Sequence, residues 1–195
     1  MSTTLDELAV EASTCTRCPL AGGRTQVVFG MGDPHADLVF VGEGPGAEED
    51  RQGLPFVGRS GQLLDRLMLE ELGITRERVY IANVVKCRPP DNRDPLPGEI
   101  DACRPYLQRQ IELIAPEVVV TLGKFAGQLL LDSKVGITKL RGREYPFGDA
   151  VLIPTLHPAY ALRGGGEPLA QMRADFVRAK LALAARGVDP TRPRS

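Results

Sequence analysis

Leu38-Val39-Phe40-Val41 runs straight into Gly42-Glu43-Gly44-Pro45-Gly46. The first four residues are apolar without alternation, as in a strand buried on both faces, and the glycines then break it. Three further short runs read the same way: Val79–Val85, Val118–Leu122 and Val151–Pro154, each soon followed by Gly, Lys or Pro. Helical patterns separate them, at Gln62–Met68, Ile100–Ile114, Lys124–Leu131 and Glu167–Ala185. Strands alternating with helices predict an α/β fold: three layers, α/β/α, around a central, mainly parallel four-stranded sheet. Residues 1–186 read as one domain and 187–195 as a flexible tail. Thr4 and Glu7 have capping-box spacing, which predicts a helix to about Ser13.

The composition narrows the function classes. With 195 residues, 43% of them hydrophobic, the chain can bury a core. A formal net charge of −1 excludes a simple polycation that coats nucleic acid. The charge is uneven: residues 1–133 hold 13 Lys+Arg against 20 Asp+Glu, whereas residues 134–195 hold 11 against 5. A basic last third suits a polyanionic partner, or simply a solvated basic helix. No run approaches the roughly 18 apolar residues of a membrane span. Met1–Leu8 lacks the basic and apolar regions of a secretory signal. A cytoplasmic protein without membrane contact is expected, in a compartment where disulfides are rare.

Four cysteines therefore need another role. Cys15 and Cys18 form a C-x-x-C pair, which aims two sulfurs the same way, while fifteen residues separate Cys87 from Cys103. If the chain folds back, the four make a thiolate site suited to zinc or to an iron–sulfur cluster, and the spacing alone does not choose. A redox pair fits less well, because a thioredoxin-like C-x-x-C follows a strand and this one follows a helix.

In open α/β sheets, ligands bind beyond the carboxyl ends of the strands. Three unusual loops fall there: Gly42–Gly46, Lys86-Cys-Arg-Pro-Pro90 with Asn83 just before it, and His157-Pro-Ala-Tyr160. Gly42–Gly46 matches neither the Walker nor the dinucleotide glycine pattern, so nucleotide binding is not indicated. Its glycines let the backbone come close to a flat ligand. Phe56, in the Gly- and Pro-punctuated stretch Gly53–Gly58, is placed either to stack on a ring or to fill a core.

Gly42–Asp50, Gly53–Gly58, Asn83–Pro90 and His157–Tyr160, together with the four cysteines, resemble the family 4 uracil-DNA glycosylases. The likeness runs from Cys15 to about Lys180. It implies a monofunctional repair enzyme that hydrolyses the N-glycosidic bond of deoxyuridine in single- or double-stranded DNA, acts as a monomer and carries a 4Fe-4S cluster on Cys15, Cys18, Cys87 and Cys103. Carried over by position, Phe56 stacks on uracil and Asn83 reads its edge. The Gly42-Glu43-Gly44 segment contacts the base, His157 stands near O2, and Glu49 positions water. Other branches of the superfamily place an Asp where Gly44 stands. Where relatives often have His-Pro-x-x-Leu-Leu-Arg, this chain has Ala161-Leu162-Arg163, so Tyr160 and Leu162 both stand as wedge candidates. No Arg-rich insert with a second His lies between Cys87 and Cys103, as expected of an enzyme that turns over.

The chemistry follows from that resemblance. A stacked base must be swung out before it is reached. The Asn83 side chain can accept from uracil N3–H and donate to O4, two contacts that cytosine cannot return. Backbone N–H groups of the first loop and His157 can stabilise charge on O2. Lys139, Arg141, Arg143 and Arg163 can hold phosphates. The alternative is a non-catalytic iron–sulfur module that binds nucleic acid or senses redox state. A zinc deaminase is set aside because no His-x-Glu exists in the chain.

Overall fold

A computed structural model describes residues 4–192. The chain opens with α1 (Leu5–Ser13), and the expected capping box is formed. Glu7 N–H donates to Thr4 Oγ1 at 3.2 Å, and Thr4 N–H donates to Glu7 Oε2 at 2.8 Å. After the cysteine loop come β1 (Met31–Gly32) and β2 (Leu38–Gly42). The short α2 (Ala47–Gln52) and α3 (Arg59–Leu67) follow, and α3 widens into a π-helical turn, Met68–Leu72. Next stand β3 (Tyr80–Asn83), α4 (Pro97–Ile114), β4 (Val118–Leu122), α5 (Lys124–Leu130) and α6 (Ile137–Leu140). The chain closes with β5 (Tyr145–Phe147), β6 (Ala150–Thr155), α7 (Pro158–Gly164) and α8 (Gly166–Ala185).

The sheet has six strands in the order β1-β3-β2-β4-β6-β5, two more than the sequence predicted. The four expected strands form its parallel centre, and β1 and β5 pair antiparallel at the two edges. These edges are two and three residues long, too short to show a period. Pro146 within β5 is tolerated because an edge strand can spare an N–H.

Alternate strand residues build two cores, which makes the three layers. Leu38, Phe40, Val118, Val120 and Ile153 pack with Leu64 and Leu67 of α3 and with Phe176 and Ala179 of α8. Phe40 and Phe176 stack at 5.4 Å between centroids. Val39, Val41, Val119 and Leu152 face the other way, toward Leu8 and Ala12 of α1 and Tyr106 and Leu107 of α4. Val188 packs on the first core, so the docked chain continues past residue 186, where a tail was expected to begin. Residues 193–195 of that tail lie outside the described residues. Among the described residues, no helix is long and apolar enough to cross a membrane.

Candidate active site

Because the central strands are parallel, β2, β3 and β6 end at one edge, at Gly42, Asn83 and Thr155. Their loops surround a cleft of about 590 Å³. Glu43, Gly44, Glu49, Phe56, Asn83, His157 and Arg163 all line it, so the three expected loops do converge.

Gly42 lies opposite Asn83 in the β2–β3 ladder. A Cβ at Gly42 would stand 2.5 Å from Asn83 Oδ1 and 2.5 Å from Phe56 Cζ, so only glycine lets amide and ring come together here. Gly44 is similarly confined, since a Cβ there would stand 2.7 Å from Val85 Cγ2. Asn83 is 1% exposed, and its Oδ1 is buried without a hydrogen-bond partner. Such an orphan acceptor costs about 1–3 kcal/mol unless something fills it. Phe56 is 6% exposed and holds a left-handed φ of 53°, which costs a side-chain-bearing residue roughly 1–2 kcal/mol. Its ring lies 6.0 Å from that of His157 at 31°, so ring, imidazole and amide bound one slot.

His157 caps α7. Its Nδ1 accepts from Ala159 N–H at 3.1 Å, which leaves the proton of the neutral ring on Nε2. Its pKa is lowered to about 4, by burial first and by the Arg163 charge second, with Glu49 opposing. The ring is therefore a neutral donor near pH 7. Glu49 behaves as a strut. Its Oε2 accepts from Gly46 N–H at 3.1 Å, and Oε1 accepts from Val57 N–H at 2.9 Å and Gly58 N–H at 3.0 Å. These bonds join the first loop to the Phe56 stretch and take up three of the carboxylate's roughly four acceptor positions. Glu43, expected only as part of the base-contacting segment, has its pKa raised to about 7 by burial first and by Asp94 second, with Lys124 opposing.

Of the expected DNA contacts, Arg163 lines the cleft, while Tyr160 and Leu162 on α7 are 49% and 42% exposed. Lys139 and Arg143 are exposed but outside the cleft lining. Arg141 departs from its expected role. Its Nε and Nη2 donate to buried Asp175 at 2.9 and 2.8 Å, and Asp175 also accepts from Thr155 Oγ1 at 2.7 Å. That guanidinium holds the end of α6 to α8, while the Thr155 bond holds α8 to the end of β6, and the guanidinium is not free for a phosphate. The cleft adds Arg59, Ser60, Asn92 and Arg93, which the sequence reading missed. The Gly at position 58 before Arg59 and Ser60, at the head of α3, was the available signal.

The four cysteines also meet. Cys15, Cys18, Cys87 and Cys103 line one small cavity with Arg24, Lys86 and Tyr106, and all four thiols are free. Arg24 Nη1 donates to Cys87 Sγ at 3.5 Å, and Lys86 N–H donates to Cys103 Sγ at 3.3 Å. Donors aimed at sulfur suit thiolates bound to metal. Among the described residues, no three Cys, His, Asp or Glu side chains close on a single ion, and the sulfurs rim a space instead. Four thiols around one cavity make a donor set that fits a group held by four cysteines, zinc or an iron–sulfur cluster alike. Lys86 joins this place to the cleft, since its fully buried ammonium donates to the Asn83 main-chain oxygen at 2.8 Å and to Gln110.

Comparison with known proteins agrees with this geometry. The profile of the Uracil DNA glycosylase superfamily matches residues 29–181. The chain belongs to that superfamily. The Type-4 uracil-DNA glycosylase of Thermotoga maritima is 52% identical over 169 residues, covering 85% of this chain and 88% of that protein. That of Sulfurisphaera tokodaii is 47% identical over 167 residues, covering 81% and 76%. That of Saccharolobus solfataricus is 44% identical over 193 residues, covering 94% and 88%. Within the superfamily, the chain stands with these type-4 uracil-DNA glycosylases.

Proposed function

We propose that the chain is a uracil-DNA glycosylase of DNA repair: it takes a flipped deoxyuridine into the cleft and hydrolyses its N-glycosidic bond. The observation that carries the reading is the buried, unpartnered Asn83 Oδ1 beside the Phe56 ring. Uracil N3–H would satisfy it, and Asn83 Nδ2 would donate to O4. Cytosine has no hydrogen at N3, so it would leave the acceptor orphaned at about 1–3 kcal/mol.

With the base stacked on Phe56, the C1′–N1 bond breaks and its electron pair leaves with uracil. His157 Nε2–H and backbone N–H groups of the Gly42–Gly44 segment donate to O2 as negative charge collects there. Water then adds to C1′. Glu43, ionising near pH 7, suits the proton released, and Glu49 keeps the loop in register. Phosphates on either side would meet Arg163 and Arg59, with Lys139 and Arg143 farther out and Tyr160 or Leu162 filling the gap in the duplex.

Cys15, Cys18, Cys87 and Cys103 would hold a 4Fe-4S cluster. Such a cluster would supply a covalent tie between α1, the end of β3 and α4. Four free thiols suit a reducing compartment, and we place the enzyme in the cytoplasm as a monomer. The test is a uracil-containing oligonucleotide treated with the protein and then with alkali. Scission by the parent and not by Asn83→Ala supports the reading. No scission by the parent at any salt concentration favours a non-catalytic iron–sulfur module.

A further inference from the structure

The Phe56 ring is held in a backbone conformation that bulky residues avoid, with φ at 53°. Such a conformation persists only where the surroundings over-determine it. Here the clamp is Arg76. Its Nη1 donates to the Pro55 carbonyl at 2.9 Å, and its Nη2 donates to the Phe56 carbonyl. Its Nε donates to Asp65 on α3, so all faces of the guanidinium are fixed. The Arg76 side chain is only 16% exposed. Gly61, in the first turn of α3, leaves the space: a Cβ there would overlap the Phe56 carbonyl oxygen and stand 3.0 Å from Arg76 Nη2. Arg76 itself sits in a 3-10 turn, Arg76–Arg78, and does not line the cleft.

We propose that Arg76 is a positioning residue for base capture: its planar fork locks the Pro55–Phe56 backbone and so sets the Phe56 ring beside Asn83 Oδ1. The fork matters because two adjacent carbonyls are held by separate N–H donors of one rigid group, a geometry that a lysine ammonium does not reproduce. The inference rests on the reading that Phe56 stacks on uracil.

The test compares the parent, Arg76→Ala, Arg76→Lys, Phe56→Ala and the double variant. Three quantities are measured: inhibition by free uracil, kcat and KM on a uracil oligonucleotide, and affinity for an abasic oligonucleotide. Arg76→Ala is expected to weaken uracil inhibition by about tenfold or more, as befits loss of two charge-assisted bonds. Abasic DNA has no base to stack, so its affinity should stay at the parental level. Arg76→Lys should fall between parent and Ala. The double variant should be no worse than Phe56→Ala alone, because Arg76 acts through Phe56. Parental uracil inhibition in Arg76→Ala, equal losses for uracil and abasic DNA, or additive losses in the double variant would overturn the inference. If Arg76→Ala does not melt cooperatively, Arg76→Lys decides: weakened uracil inhibition supports the clamp and parental inhibition refutes it. If Phe56→Ala leaves uracil inhibition unchanged, the stacking reading itself falls and takes the inference with it, a pattern distinct from a failure at Arg76 alone.

Discussion

Gly42 lies directly across the parallel β2–β3 ladder from Asn83, and a Cβ at Gly42 would stand 2.5 Å from Asn83 Oδ1. One missing side chain thus makes the slot in which ring and amide meet. Gly42→Ala should lower kcat/KM by about a hundredfold, the usual cost of displacing groups at a reacting centre by an ångström. Overpacking should cost about 1–3 kcal/mol of stability, so the fold survives. Kinetics together with thermal melting check this; a variant with parental kinetics would show that the slot is not used.

Two titrating groups in the cleft separate cleanly. Glu43 stands at about 7, above its ordinary 4.5, so its charged form is disfavoured by folding. Its stabilising contribution is present below pH 4.5 and is lost as pH rises through 7. Glu43→Gln should therefore melt higher than the parent at pH 8 and no higher at pH 4. In catalysis the carboxylate is the useful form, so kcat/KM should rise through about pH 7 in the parent and be flat there in Glu43→Gln. His157 stands at about 4, below its ordinary 6.5, and contributes no activity limb between pH 5 and 8. Its contribution to stability is present above pH 6.5 and is lost as pH falls through 4. Melting curves and rate profiles across pH 4–9 test both.

Much of this was legible in the sequence, and the rest fails to show for definable reasons. Leu38–Val41 and Val118–Leu122 announce buried parallel strands because both faces are apolar. The cysteine spacing and the three loops after the strands carry their own signal. The edge strands do not, because Met31–Gly32 and Tyr145–Phe147 are too short for a period. Arg141 looked like a phosphate contact because its partner, Asp175, is 34 residues away on a helix whose buried carboxylate nothing local marks. Glu43's proton affinity arises from burial and from Asp94, neither of which is encoded next to it. Arg76 sits in no motif at all.

The basic residues should divide by role. Arg141→Ala leaves Asp175 buried and unpaired, which should cost about 3–5 kcal/mol of stability. It should leave the salt dependence of DNA binding unchanged. Arg163→Ala and Arg143→Ala should each reduce the slope of log affinity against log salt by about one while leaving the melt near the parent. Titrations at several salt concentrations, paired with melting curves, distinguish the two classes.

Cys103→Ser should abolish the broad absorbance at roughly 400 nm that a bound iron–sulfur cluster gives. It should also lower the melting temperature, since α4 then loses its tie to the end of β3. Protein carrying zinc and no iron by elemental analysis would contradict the cluster assignment while leaving the four-thiolate site intact.

The most direct measurement is single-turnover release of uracil from a uracil oligonucleotide by Asn83→Ala, beside its affinity for abasic DNA. Release should slow by about a hundredfold or more, because base-edge contacts are lost, with abasic affinity unchanged. Release within threefold of the parent's rate would mean that the buried Asn83 carbonyl does not read the base.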